Sequence, residues 1–444
     1  MSDAIQPARV FTWRRIVKTW WPLAASWLLM ALELPSISAV VARLANPEIN
    51  LAAWGGVVFP IALLVEAPII MLLAASTALS KDWASYKKIR IFMLVAGGTL
   101  TALHLAVAFT SLFDVVVLDV IGAPQEILEP ARIGFRLMTP WTWSIAYRRF
   151  NQGVLIRQGH SDAVGWGTFI RLTADLTVLG LGLLLQRFPG TMVAGTAVAL
   201  GVLSEAAYAG IRVRPLLKHR LRQAPAIEPP LDWRQFFQFY IPLAMTSLIT
   251  LLINPLGSAA ISRMPLALQS LAAWPVVSGL VFMLRSMGVA YNEVVVALLD
   301  EPGSVGPLKR FAWVLAGVST TLMLLLAASP LADFWFTTFS SLKPELALLA
   351  RNAIWFALPL PAMNVAQSWL QGLLLHVKTT RPITEAVVVF ILTSAACLVA
   401  GTIWAGAPGL YFGWLAFSIG GIAQSIWLWR RSRGALMSLE NAVA

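Results

Sequence analysis

Charge is scarce in this chain of 444 residues: 12% are Asp, Glu, Lys or Arg, against 58% hydrophobic. Histidine and cysteine are scarcer, at four residues and one. The lone Cys397 excludes an intrachain disulfide and, set in an apolar run, reads as a packed or lipid-facing thiol. His104 stands alone in an apolar run, while His160, His219 and His376 fall in connecting segments, so no metal-ligand cluster forms and no metal site is expected. There is no GxxxxGK followed by Ser or Thr, which excludes a Walker-type ATPase in this chain. Without a nucleophile and base, a metal cluster or a phosphate-gripping acidic pair, an enzyme is not expected.

What fills the chain instead is apolar sequence. Runs of about the 20 residues needed to cross a hydrocarbon core recur at 20–41, 52–78, 91–112, 131–155, 164–185, 192–211, 236–261, 268–299, 311–334, 346–375, 383–404 and 410–429. They are long and lack apolar/polar alternation, so they predict an all-α polytopic membrane protein of twelve transmembrane helices rather than a barrel. The first run is too long for a cleaved signal peptide and is expected to remain as a helix.

Basic residues cluster in alternate connections. Arg9, Arg14, Arg15 and Lys18, then Lys81, Lys87, Lys88 and Arg90, then Arg157, belong to one set. It continues through the segment from Arg212 to Arg234, Lys309, Arg310, Lys378, Arg381 and finally Arg430, Arg431 and Arg433. The opposite set has only Arg43, Arg187, Arg263 and Lys343, with Asp114, Asp119, Glu126 and Glu129. Retention of Lys and Arg on the cytoplasmic side places both termini there, in a multi-pass plasma membrane, with a bacterial inner membrane expected. The net charge of +12 is then a topology signal with contacts to membrane lipids, and nucleic acid is not an expected partner.

The stretch LAAW occurs twice, at 51–54 and 271–274. Around it Pro22 aligns with Pro242, Pro35 with Pro255 and Arg43 with Arg263, all 220 apart. Further on the offset becomes 219: Arg132 meets Arg351, Pro140 meets Pro359, and Gln152-Gly153 meets Gln371-Gly372. This reads as a duplication of six helices. An even number per copy makes the copies parallel, related by a pseudo-two-fold axis along the membrane normal. The expected organisation is a lobe at 1–211, a basic cytoplasmic linker at 212–235 and a second lobe at 236–444.

The segments RRFNQGVLIRQGHSDA (148–163) and SWLQGLLLHVKTTRP (368–382) resemble the multidrug/oligosaccharidyl-lipid/polysaccharide (MOP) flippase superfamily, whose multidrug and toxic-compound extruders (MATE) and flippases have two parallel six-helix lobes. The likeness covers nearly the whole chain. It is also what makes Gln152 and Gln371 candidates, as caps or cross-links at the lobe centres. FYIPLAMTSLITLLINPLGSAAISRM (239–264) is similar to the progressive ankylosis proteins, a resemblance that implies export of polyvalent organic anions. Asn254 departs from the animal members, which carry Arg before the second Pro. The signature of major facilitators, a Gly-rich loop after the second helix, is replaced by ALSKDWASYKKIR.

An ionisable side chain facing lipid at mid-depth costs ~2.5 to 3.5 kcal/mol on insertion scales, so each one inside a run needs a reason. At ~1.5 Å per residue, Glu33, Glu66 and Arg285 fall about 16 to 18 Å along their helices from Trp21, Trp54 and Trp274, and Asn254 lies at similar depth. Glu33, Glu66, Asn254 and Arg285 are therefore expected to line a shared cavity, with Arg285 offering charge to an anion and a glutamate titrating or pairing. The plainer alternative is a salt bridge between Glu66 and Arg285 that pins the lobes, with Glu33 as a gate. Pro35 and Pro255 are candidate bend points.

Secondary candidates follow from the same reasoning. Glu205 has no evident partner in the sequence and is a second proton-site candidate. Arg148 and Arg149 are expected to snorkel towards headgroups or to attract anions to a vestibule. Arg171 and Asp175, four apart, are expected to pair with each other. Glu293, Asp300 and Glu385 are expected to balance nearby Lys and Arg. Trp54 and Trp274 are assigned with other terminal tryptophans to interfacial belts, and only Trp141 and Trp143 to possible substrate stacking.

The expected function is a secondary exporter working by alternating access. Organic or phosphorylated anions such as citrate or nucleotides are the leading substrates on the narrower resemblance, an H+ or Na+ coupled multidrug cation antiporter the first alternative and a lipid-linked flippase the second. No cofactor is expected beyond a coupling H+ or Na+. The expected partners are a small anionic molecule and lipid, with the chain acting as a monomer.

Overall fold

The computed structural model describes residues 12–443 apart from 300 and 378, and the side chains of 435 and 438–443 are also outside the description. Arg9, Asp300 and Lys378 therefore lie outside the described residues. Every regular element among the described residues is helical. Among the described residues ten helices are long and apolar enough to cross a membrane, so the chain is a multi-pass membrane protein. The runs at 131–155 and 410–429 are not among the ten. The first is divided at Met138 into Leu128–Leu137 and Thr139–Arg157, and the second lies within Gly409–Val443.

Proline shapes the two halves unequally. Trp13–Ala31 gives way at Leu32 to Glu33–Val41, because the nitrogen of Pro35 cannot donate to the carbonyl of Ala31. The corresponding Trp233–Ile261 runs unbroken through both Pro242 and Pro255, so the bend expected at Pro255 is not a break in the helix: its freed carbonyl is accommodated within regular turns. The next segment of the first half is more divided: Pro47–Ala52, a π-helical stretch Ala53–Val58, Phe59–Glu66, a turn, then Leu72–Leu79. Pro60 and Pro68 each remove a ladder donor, and a widened turn before one and a helix end before the other absorb the loss. The second half crosses Pro275 in one helix, Ala267–Leu298.

Other local features recur in both halves. Left-handed residues pair at Asn46 and Leu266, Gly122 and Ser341, and Gln186 and Ala405. A π-helical stretch occurs at Val115–Ile121 and again at Phe334–Phe339. Arg132 bonds Asp114, and Arg351 bonds Asp333 at 3.0 Å.

The halves meet at close, largely apolar contacts. A Cβ on Gly55 would lie 2.4 Å from the Pro275 ring, and one on Gly279 would lie 3.0 Å from Pro35. Only glycine permits these approaches. Two arginines then cross between halves in matching fashion. Arg43 donates to Phe339 O (2.8 Å) and Thr338 O (2.7 Å), while Arg263 donates to Ile121 O (2.7 Å) and Val120 O (2.9 Å). Each guanidinium satisfies carbonyls at the end of the other half's π-helical stretch, where no intrahelical donor is available. The leading helices are also exchanged: Ile16 is buried beside Tyr291 and Val294, and Tyr240 donates to Pro68 O at 2.5 Å.

Candidate functional site

A cavity of about 590 Å³ lies between the halves. Glu33, Glu66, Arg148, Arg149 and Arg171 line it from the first half, Asn254 and Arg285 from the second. All four leading candidates thus share one space. The alternative salt bridge is not formed: among the described residues Glu66 and Arg285 make no ion pair, and Glu66 Oε2 and Arg285 Nε are buried without a partner. Asn254 bonds only weakly to its own helix, donating to Leu251 O at 3.3 Å.

In the cavity wall and just behind it the first half holds two ionic groups. Arg148 and Gln152, four apart, face the same way from Thr139–Arg157. Both reach Glu205 on Gly190–His219, Arg148 Nη1 to Oε2 at 2.5 Å and Gln152 Nε2 to Oε1 at 2.8 Å. Glu205 therefore has partners, contrary to the sequence reading, and Arg148 does not snorkel: it is 5% exposed, because an internal carboxylate lies nearer than the headgroups. Arg149, one residue on, points about 100° further round the helix and faces the cavity.

The second group keeps the expected ion pair of Arg171 with Asp175 and adds a shorter one. Arg171 Nη2 donates to Glu33 Oε1 at 2.5 Å, whereas its Nε stands 3.8 Å from Asp175 Oδ2. The i,i+4 spacing does put Arg171 and Asp175 on one face, but Glu33 comes from another helix with better geometry. Asp175 is packed against Gly201, where any Cβ would overlap its carboxylate. Gln371 lies outside the cavity lining. Glu385 is met by Arg381 and Arg431, as its neighbourhood suggested, whereas Glu293 accepts from the Trp27 indole.

The aromatic wall was the main omission. Trp54 and Trp274, assigned to interfacial belts, are 1% and 8% exposed and line the cavity. Both belong to the repeated LAAW, so the duplicated motif was the available signal. Trp274 stacks on Trp414 with centroids 4.7 Å apart and planes at 21°, and Phe417 packs edge-on against Trp274 at 5.4 Å. Trp141 lines the cavity, whereas Trp143 is 37% exposed and is not part of the lining.

No family model and no curated sequence matches this chain. Its fold is that of solved MATE transporters of the MOP superfamily. An inward-facing multidrug resistance MATE family transporter aligns over 95% of this chain and 99% of its own, at 14% identity and a TM-score of 0.71. An outward-facing MATE transporter of the same superfamily covers 96% of each chain, at 15% identity and a TM-score of 0.61. A MOP superfamily transporter from Pyrococcus furiosus, described as having reversed polarity of its binding pocket and a different function, covers 96% of this chain and 97% of its own, at 13% identity and a TM-score of 0.64. These neighbours are transporters rather than enzymes, and they give the narrower progressive ankylosis branch no support.

Proposed function

We propose that the protein is a secondary exporter of organic or phosphorylated anions, working by alternating access between lobes at 1–211 and 236–444 joined by a cytoplasmic linker at 212–235. In this reading there are twelve spans in two parallel six-helix repeats, both termini are cytoplasmic, the chain acts as a monomer, and the coupling ion, if one is used, is H+ or Na+. The recurrence of left-handed residues, π-helical stretches and Arg–Asp pairs at offsets of 219 and 220 supports the duplication. The matched Arg43 and Arg263 contacts hold the cavity closed at one end and must be released for it to open there.

One observation carries the choice of substrate sign. The carboxylates of Glu33 and Glu205 already have arginine partners, while Arg149 and Arg285 line the cavity with no ion pair among the described residues. Against these two guanidinium groups stands one carboxylate without an ion pair, Glu66, so the unpaired charge of the lining is positive on balance, and a guanidinium with its fork of donors is matched by carboxylate or phosphate.

A multidrug cation antiporter remains the second reading. It is favoured by Glu66, whose Oε2 has no partner, and by the multidrug transporters that share the fold. Counterflow in proteoliposomes separates the two. Labelled citrate or ATP should exchange through the wild-type chain and not through Arg285→Ala. Flux of a cationic dye driven by a proton gradient, lost in Glu66→Gln and with no anion flux, would replace the anion reading.

A further inference from the structure

We propose that the cavity selects an aromatic oxyanion, a planar ring bearing a phosphate or carboxylate, over a small polycarboxylate such as citrate. This rests on the anion-export reading above and narrows it to a substrate class.

The unmet hydrogen-bonding groups of the cavity define the head of such a ligand. Among lining residues, the buried side-chain atoms without a partner include the indole N–H of Trp141, the indole N–H of Trp414, and the Nε–H of Arg149 and Arg285. All are donors, and each comes from a side chain that has no lone pair to offer. Against them stand one acceptor, Glu66 Oε2, and the Ser278 hydroxyl, which can act either way. Buried donors left without acceptors are costly. A ligand that answers this set must present several acceptor oxygens and carry negative charge. A quaternary cation would enjoy the aromatic faces but would leave every one of these donors unmet.

The wall defines the rest of the ligand. The Trp274–Trp414 stack, with Phe417 across its edge, and Trp141 present flat apolar surface in the same space as the two guanidinium groups. A ring packs on such faces by offset stacking or edge contact. Citrate has no ring to lay on these faces, and its three carboxylates would be stripped of water against indole. The volume of about 590 Å³ suits a drug-sized molecule better than a small acid. Arg149 belongs to the first half and Arg285 to the second, so one head group with several oxygens can engage both halves together.

The test uses the full chain in lipid nanodiscs and reads thermal stabilisation by four probes: phenyl phosphate, inorganic phosphate, citrate and tetraphenylphosphonium. Phenyl phosphate should bind at least about tenfold more tightly than inorganic phosphate or citrate. Trp414→Phe keeps a ring and removes one N–H of the head set, and should weaken phenyl phosphate and inorganic phosphate alike, by up to about tenfold, the loss of a single hydrogen bond, whereas Trp414→Leu also removes the flat face and should weaken phenyl phosphate more than inorganic phosphate. Trp141→Leu serves the same purpose if Trp414→Leu does not fold. Arg285→Gln should abolish binding of every anion.

Citrate or inorganic phosphate binding as tightly as phenyl phosphate, or equal losses of phenyl phosphate and inorganic phosphate in Trp414→Leu and in Trp141→Leu, overturns the aromatic preference and leaves anion export standing. Stabilisation by tetraphenylphosphonium alone overturns both readings. No stabilisation by any probe overturns the aromatic proposal, and counterflow with citrate or ATP then decides the other.

Discussion

The two halves of this protein share several local backbone features and contrast in their interiors. In the first half Arg148, Arg171, Asp175 and Glu205 form buried ionic groups. At the positions 219 residues later stand Gln367, Phe390, Ser394 and Gln424. Gln367 bonds Gly421 O and Ser425 Oγ, Ser394 bonds Ala416 O, and Phe390 lines the cavity. The second half thus replaces ionic links with neutral hydrogen bonds and aromatic surface, and its leading helices are unbroken where those of the first half are divided. Turns and interface arginines can recur in both halves while the side chains facing the cavity differ, since packing constrains the former and a ligand would constrain the latter. The outcome is a cavity with polar charge supplied mostly by one half and much of its aromatic wall by the other.

The strongest way to break this contrast is to remove one member of an ionic group. Glu205→Ala should destabilise the protein by ~3 to 5 kcal/mol, because Arg148 is left buried without its counter-charge. Gln367→Ala in the other half should cost only ~1 kcal/mol, the scale of a neutral hydrogen bond. Thermal unfolding in detergent measures both, and equal losses would refute the contrast.

The contact between halves gives the next effect. Gly55→Ala should cost ~1 to 3 kcal/mol by overpacking against Pro275, and Gly279→Ala less, since its Cβ would meet Pro35 at 3.0 Å rather than 2.4 Å. The same unfolding measurement ranks them. Arg43→Gln and Arg263→Gln test where the halves agree. Each should weaken closure of the cavity by ~1 kcal/mol, equally and nearly additively as separate sites. Labelling of a cysteine introduced at Ser278, in a Cys397→Ser background, reads the opening, and a large effect from only one arginine would show that the two contacts are not equivalent. The smallest change is expected outside the membrane: Asp82 caps Trp83–Phe109 through Ser85 N at 2.9 Å and accepts from Ile227 N in the linker at 3.2 Å. Asp82→Ala should cost ~1 kcal/mol, with faster amide exchange at Ile227 as its local signature.

Much of the fold was legible because it follows from one-dimensional signals. Apolar runs give membrane helices, and Glu33, Glu66, Asn254 and Arg285 could be placed at one depth by counting residues along those helices. The partners were not legible. Glu33 lies 138 residues from Arg171, and Arg148 lies 57 from Glu205. Spacing along one helix gave the ion pair of Arg171 with Asp175 but not the shorter one with Glu33, since an i,i+4 rule sees only its own helix. Trp54 and Trp274 were misplaced for a related reason. Counting located them near helix ends, but the break at the π-helical stretch and the Gly55–Pro275 contact draw that level into the centre of the protein.

By itself the sequence determined that this chain crosses the membrane many times and that few charged side chains lie within its apolar runs, because hydrocarbon tolerates only apolar segments with satisfied backbones. Only the tertiary structure decided which charges neutralise one another and which two guanidinium groups remain open to the cavity. That choice depends on distances between helices far apart in the chain, and within a low-dielectric interior a shift of a few ångströms decides whether an arginine is a structural partner or a binding group.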